Sequence, residues 1–389
     1  MRSTGNTFSS ITVALALAAR VARTAVHRAP SPSGPGPWLG GAVLLGLLLL
    51  EAGYAVSSSA GTRANTEEPI VVTDFRNREL VFDQPVERIV CLIESSLSNL
   101  YMLGAEDRLV GISTNVYQES VFPYYAAMDQ RIRDRILPTP GNWDFVNHES
   151  LMVLQPDLVI IWAQQEEAIQ TLEERGIPVF GVFMTEFADI HRQIEALGRL
   201  TGTEDRAREL LALADGELER ARQRLALLDD AEALPRAYFM WAQGPLQTAG
   251  KNSTVQELLE LAGATNVAAG SPREQLVVNL ENILIWDPEV IIMWANERLD
   301  PADVRQMAGW RGVSAVRNGR VHELPDVFSC DFWTLKYLFT VELVSRWCHP
   351  EHFAGDDLYA VRAALFDQLY QGKLPAAELP PLTRTSAQP

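Results

Sequence analysis

The sequence predicts an α/β protein of two similar lobes, each built on a parallel central sheet and joined by a long rigid α-helix. Three observations carry that reading. The chain has 389 residues, more than one hydrophobic core ordinarily organises, since single cores stop growing at roughly 250–300 residues. A segment recurs: residues 147–164 read NHESLMVLQPDLVIIWAQ and residues 279–296 read NLENILIWDPEVIIMWAN. Asn147 matches Asn279, Glu149 matches Glu281, Pro156 matches Pro288 and Trp162 matches Trp294, all 132 positions apart without a gap. Between the copies, residues 186–228 lack Pro and space Ile190, Ile194, Leu197, Leu200, Leu210, Leu211, Leu218 and Leu225 as a helix spaces its buried face.

Taken in order, residues 1–60 read as an address. Arg2, Arg20, Arg23 and Arg28 precede an uncharged run, Leu39 to Leu50, and small residues from Ala55 to Ala60 follow it. Basic n-region, apolar h-region and small-residue cleavage site are the order of a signal peptide. The run is shorter than the ~20 residues of a spanning helix, so cleavage near Ala60 is the expectation and an uncleaved anchor the alternative. No Cys lies there to carry a lipid.

The first lobe is expected over residues 69–185. Ile70–Val72 and Leu80–Phe82 form a leading hairpin, and Arg88–Ile93, Leu109–Ile112, Leu158–Trp162 and Pro178–Val182 form strands. Apolar runs without alternation indicate strands buried on both faces. Pro156 and Pro288 end the short helices before the repeat strands, because Pro disfavours helical backbone in the residue before it. The bridge covers residues 186–230; Gly198 and Gly202 leave open one long helix or a broken pair. The second lobe, residues 234–372, holds strand Ala237–Trp241, helix Ser253–Ala262, the repeat strand Val290–Trp294, strand Arg320–Leu324 and helices near Phe332–Trp347 and Leu358–Leu369. The Pro-rich tail, residues 373–389, is expected to be disordered.

Composition removes whole classes of function. The net charge is -17; residues 1–60 carry four arginines against Glu51 alone, so the remainder is more acidic still. Phosphate binding needs clustered Lys and Arg, so nucleic acid is not an expected partner. Three cysteines, Cys91, Cys330 and Cys348, are too few for a zinc ribbon or a multi-disulfide scaffold. Cys91 reads as a buried small hydrophobe, while Cys330 and Cys348 are a possible pair after export. No phosphate loop, dinucleotide fingerprint, Gly-x-Ser-x-Gly elbow or His-x-x-x-His pair is present, so no catalytic residue, metal site or cofactor is expected. His349-Pro350-Glu351-His352 looks metal-like, but its Pro breaks helical spacing and a surface turn is the plainer reading.

Binding residues are easier to place. Three strands finish alike, at Trp162-Ala163, Trp241-Ala242 and Trp294-Ala295. Carboxyl ends of strands face the ligand crevice in open α/β sheets, so Trp162, Trp241 and Trp294 read as aromatic walls for a planar or greasy ligand. Trp143 stands in the turn-like Pro140–Asp144, and Tyr117, Tyr124 and Tyr125 lie in an aromatic loop of the kind that lines binding surfaces. Glu94, Tyr117 and Gln247 complete the candidate ligand set. Glu149 and Glu281, equivalent acids at two helix starts, read either as helix-capping carboxylates or as two docking points for a partner.

Further residues carry a family likeness. Val72-Thr73-Asp74-Phe75, Pro85 to Val90, Leu103-Gly104-Ala105, Leu109 to Ile112, Gln155 to Ile160 and Ala249 to Ser253 resemble the periplasmic binding proteins for iron–siderophore and cobalamin uptake, over about residues 69–353. The resemblance implies two α/β lobes on a helical bridge, no catalysis, and an exported monomer that hands a metal chelate to an ABC permease in the membrane. It further implies that Glu149 and Glu281 dock on permease arginines, and that Trp143 stands where a cleft aromatic touches the corrinoid. This sequence shows no cluster of cleft arginines for an anionic siderophore. The expected cargo is an iron chelate or corrinoid, with haem, a free metal ion or an oxyanion as the alternative.

Overall fold

A computed structural model describes residues 68–228, 234–295, 298–353, 357–379 and 381–382. All of these lie in one compact unit, Asn65–Pro389; the expected signal segment, residues 1–60, lies outside the described residues.

Continuous apolar runs become strands buried on both faces. The first sheet has the order Leu109–Ile112, Ile89–Cys91, Leu158–Trp162, Val179–Val182, and the second has Thr265–Asn266, Arg236–Met240, Val290–Met293, Val321–Glu323, each parallel throughout. In both, the strand earliest in the chain lies second, and the repeat strand lies third. The 132-residue repeat is therefore a repeat of position in the sheet. Two antiparallel pairs are added, the leading hairpin Ile70–Thr73 with Glu79–Phe82, and Gln247–Ala249 with Gln275–Val277. The latter places the candidate Gln247 at the start of a short strand.

Each repeat opens on the same cap and closes on the same backbone kink. Asn147 accepts the Ser150 N–H at 3.0 Å ahead of helix His148–Val153, and Asn279 accepts the Asn282 N–H at 2.8 Å ahead of helix Leu280–Trp286. At the other end Gln155 (φ 45°) and Asp287 (φ 41°) are left-handed. Pro156 and Pro288 bar ordinary helical backbone at the preceding residue, and the chain escapes into the left-handed region rather than to an extended one.

The bridge is the broken pair. Helices Phe187–Thr201 and Glu204–Leu225 meet at Gly202, which takes φ 66° and caps the first helix through its N–H. Gly198 is required there, because a Cβ would lie 2.6 Å from Ala207 Cβ. The first helix begins against the second lobe, where the Phe187 ring stacks on Tyr337 at 3.8 Å and its N–H donates to Glu257 at 2.7 Å, and it ends where Leu200 accepts the Val86 N–H at 2.9 Å.

Two further links join the lobes. Phe328 stacks on Tyr124 at 4.3 Å and meets Tyr125 edge-on at 5.6 Å. The last long helix, Leu358–Tyr370, returns to the first lobe: Tyr370 and Ser98 hydroxyls lie 2.6 Å apart, and Arg206 donates to the Gln368 and Leu369 carbonyls. One contiguous core consequently runs from Ile89, Leu158 and Phe180 to Phe239, Val290 and Phe366, with a smaller cluster on the outer side of each sheet.

Four expectations are corrected. Tyr124 and Tyr125 are buried in helix Phe122–Met128 at the lobe junction, not on a binding loop. The helix expected from Phe332 begins at Tyr337 and runs to Cys348. Cys330 and Cys348 do not pair: all three thiols are free and buried. Of the tail, residues 373–379 and 381–382 are described and packed, while residues 380 and 383–389 lie outside the described residues. Lys373 pairs with Glu106, Leu374, Leu379 and Leu382 are buried, and the Leu382 N–H donates to the Tyr359 hydroxyl at 3.3 Å.

Candidate functional site: an aromatic crevice at the carboxyl ends of the strands

The site is built where parallel strands stop. Arg236–Met240 delivers Trp241 and Val290–Met293 delivers Trp294, one residue beyond each strand. Their rings meet at 5.4 Å, and the turn before helix Tyr337–Cys348 adds Phe332, 4.9 Å from Trp294, and Trp333, stacked on Trp241 at 6.4 Å and 6.0 Å from Trp294. Trp241 is only 7% exposed and its indole N–H has no partner among the described residues; Trp294 and Trp333 are half-buried. So Trp241 backs the wall and its neighbours form the face.

On the first lobe Trp162 ends its strand half-buried, packs edge-on against Phe183 at 5.6 Å and donates to Gln164 at 3.0 Å. The Trp143 loop stands at the same edge, bridged to Ser113 beyond strand Leu109–Ile112 and touched by Gln165 at 3.4 Å. Asn142 shapes it, accepting the Asp144 and Phe145 N–H groups at 2.8 and 3.1 Å. Gly141 is needed because a Cβ would come within 2.3 Å of the Phe145 carbonyl oxygen. Trp143 is thereby presented 59% exposed.

The polar candidates divide. Glu94 opens helix Glu94–Leu103 beyond strand Ile89–Cys91, and its carboxylate accepts a short hydrogen bond from the Tyr125 hydroxyl. Tyr117 donates to the Leu137 carbonyl at 3.1 Å and lies under the Arg135 guanidinium at 4.8 Å, with burial holding its hydroxyl above the usual range. Gln247 uses its backbone for the sheet and accepts the Trp241 N–H at 3.0 Å, so it braces the aromatic wall.

Behind the wall lies a charged group that sequence reading did not find. Lys336 is fully buried, 3.7 Å from Asp331, with its ammonium 3.8 Å from the Phe328 ring centroid. Burial pulls its pKa down, but Tyr370, Asp331, Glu94 and Asp326 outweigh that and hold the charge. Asp331 is pushed up to about 6 by burial, against the pull of Lys336. Trp333, Asp331 and Lys336 were hidden because the apolar spacing of Phe332–Trp347 reads as a single helix; Asp331, which accepts the Trp333 N–H at 2.9 Å, is the local sign that a turn comes first.

Glu149 and Glu281 are exposed at the second position of their helices. A recess lined by Pro235, Glu289, Arg320 and His349 lies at the amino ends of the second sheet's strands, away from the aromatic wall. His349 is buried there and bonds the Gly263 carbonyl at 2.9 Å, rather than standing in a surface turn. Among the described residues no group of three or more His, Cys, Asp or Glu is placed to hold a metal ion.

Residues 89–327 match the family described as periplasmic binding protein. The chain belongs to that family. The molybdate-binding protein MolA of Haemophilus influenzae is 26% identical over 328 residues, covering 77% of this chain and 91% of that protein. The vitamin B12-binding protein of Vibrio parahaemolyticus is 23% identical over 245 residues, covering 62% of this chain and 82% of that protein. Among solved structures, Helicobacter pylori CeuE in its Ni-His complex superposes with a TM-score of 0.65 at 21% identity, covering 80% of this chain and 98% of that one. This periplasmic binding protein is a solute-binding component of the ABC-importer type and not an enzyme. No helix among its described residues is long and apolar enough to cross a membrane.

Proposed function

We propose that this periplasmic binding protein is exported, captures a metal chelate or corrinoid between its lobes, and delivers it as a monomer to an ABC permease. The observation that carries the cargo reading is the packing of Trp241, Trp294, Phe332 and Trp333 at the carboxyl ends of two neighbouring strands. Such a wall offers stacking area at little entropic cost, which suits a large, flat, partly apolar ligand. Trp162 and the exposed Trp143 face the same crevice from the first lobe. Glu94 supplies a hydrogen-bond acceptor there. Glu149 and Glu281, one per lobe, meet basic residues of the permease.

Titrating purified protein with ferric siderophores of several charges, cobalamin, haem, molybdate and ferric ion, and following tryptophan fluorescence, tests the reading. Saturable quenching by one chelate or corrinoid, weakened in Trp143→Ala, supports it. Saturation by molybdate or ferric ion alone makes this an oxyanion or free-metal receptor. Reversing charge at Glu149 and Glu281 together should abolish uptake and leave cargo affinity unchanged; a fall in affinity would put those acids in the pocket.

A further inference from the structure

The two repeat helices are amphipathic the wrong way round. Each buries one apolar residue near its middle, Leu151 or Ile283, both 0% exposed, yet each leaves two further apolar groups in water. Met152 and Val153 are 40% and 81% exposed; their equivalents Leu284 and Ile285 are 43% and 80% exposed. Ahead of the helices, Phe145 and its equivalent Val277 are 52% and 68% exposed. All three pairs keep the spacing of 132 that relates Glu149 to Glu281.

Spacing puts these groups together. Glu149, Met152 and Val153 stand at i, i+3 and i+4, as do Glu281, Leu284 and Ile285, so each trio shares one helix face. Exposed apolar groups scattered singly need no explanation, but a contiguous patch marks an interaction site. Here the same arrangement, one acid and two apolar side chains on a helix face with a third exposed apolar residue ahead of the helix, occurs once on each lobe at similar exposure. Packing within the protein does not account for it, because the internal face of each helix is already supplied by Leu151 or Ile283.

We infer that Phe145, Met152 and Val153 on one lobe, and Val277, Leu284 and Ile285 on the other, form the apolar part of a duplicated footprint for the membrane permease. This rests on the docking reading of Glu149 and Glu281 and extends it. The partner surface has two matching patches, each a basic residue beside an apolar socket. Neither acid has an ion-pair partner among the described residues, so each is free to meet a cation. The acids argue against an anionic lipid surface, and equally against a second copy of this chain, whose patches would bring like charges together. Burying the apolar groups supplies the affinity, while the acids set the register.

Photocrosslinking in the native cells tests this with the full chain. With p-benzoylphenylalanine at Val153 or at Ile285, the expected adduct from both sites is one integral membrane permease, identified by mass spectrometry. Adducts with phospholipid or with a second copy, or no adduct with a membrane protein, overturn the inference. With the probe at Val277, the combined M152S, V153S, L284S and I285S variant should lower the permease adduct by about tenfold, while keeping its melting temperature because the removed groups are exposed. An undiminished adduct in that variant, together with a lost adduct in E149R/E281R, removes the apolar footprint and leaves the acid docking. An adduct undiminished in both removes the docking reading as well.

Discussion

The carboxylate of Asp157 accepts the backbone N–H of Arg88 at 3.0 Å, and the Asp157 N–H donates to the Arg88 carbonyl at 2.8 Å. Glu289 and Arg236 make the same two bonds in the other lobe, at 3.0 and 2.7 Å. Each arginine then reaches back to the end of its repeat helix: Arg88 donates to the Leu154 and Gln155 carbonyls, and Arg236 to those of Trp286 and Asp287. These carbonyls lack intrahelical partners, so the arginine satisfies a helix end while the acid aligns two strands.

Asp157→Ala and Glu289→Ala should each lower unfolding free energy by about 1–2 kcal/mol, the cost of backbone donors losing a charged acceptor. The two sites are in different sheets with no shared partner, so the double variant should show the sum within about 0.5 kcal/mol. Urea denaturation at pH 7 measures both.

The tryptophans should separate into structural and exposed classes. Trp241→Ala removes a buried indole from a ring cluster and should cost about 3–5 kcal/mol. Trp143→Ala, at an exposed position, should stay within about 0.5 kcal/mol of the parent in stability while weakening cargo binding. Thermal melts beside fluorescence titrations distinguish them.

Acid should weaken the fold partly through His322. Burial first, then Arg320 and Arg305, depress its pKa from 6.5 to about 4, and its ring lies on Trp347 at 4.9 Å. The unfolded chain therefore binds a proton as pH falls below about 6.5 and the folded chain does not until about 4. Stability is lost across that window, by up to about 3 kcal/mol from this group. In His322→Gln, stability measured from pH 7 to pH 5 should fall less steeply than in the parent.

The thiols should be inert. Burial pushes Cys91 and Cys348 up to about 12 and raises Cys330 strongly. Native protein should leave a thiol reagent such as Ellman's unreacted, denatured protein should react at all 3 cysteines, and reductant should not move the melting temperature. Reaction of only one thiol after denaturation without reductant would reveal a disulfide.

Most of the scaffold was legible because its signals are local. Continuous apolar runs such as Leu158–Trp162 have only one economical burial, and the gapless repeat tied Trp162 to Trp294 and Glu149 to Glu281. What was illegible depends on distant partners. Tyr124 and Tyr125 read as surface aromatics until Phe328 covers them. Lys336, inside the expected helix Phe332–Trp347, and Asp331, just ahead of it, carry no local sign of burial until the turn Asp331–Lys336 buries both. Met152, Val153, Leu284 and Ile285 were in plain view in the repeat, but exposed and packed apolar residues look alike until the fold assigns a face.

The core that threads both lobes has a thermodynamic corollary. With a helical pair, the Phe328 contact and the returning helix Leu358–Tyr370 all crossing the junction, neither lobe can melt alone without stripping apolar surface from the other. Calorimetry should then record one endotherm, with van't Hoff and calorimetric enthalpies equal. Empty and loaded protein should scatter X-rays almost identically. Under the proposed delivery to a permease, opening the crevice is work for the partner that grips one lobe against the other, not for spontaneous gaping.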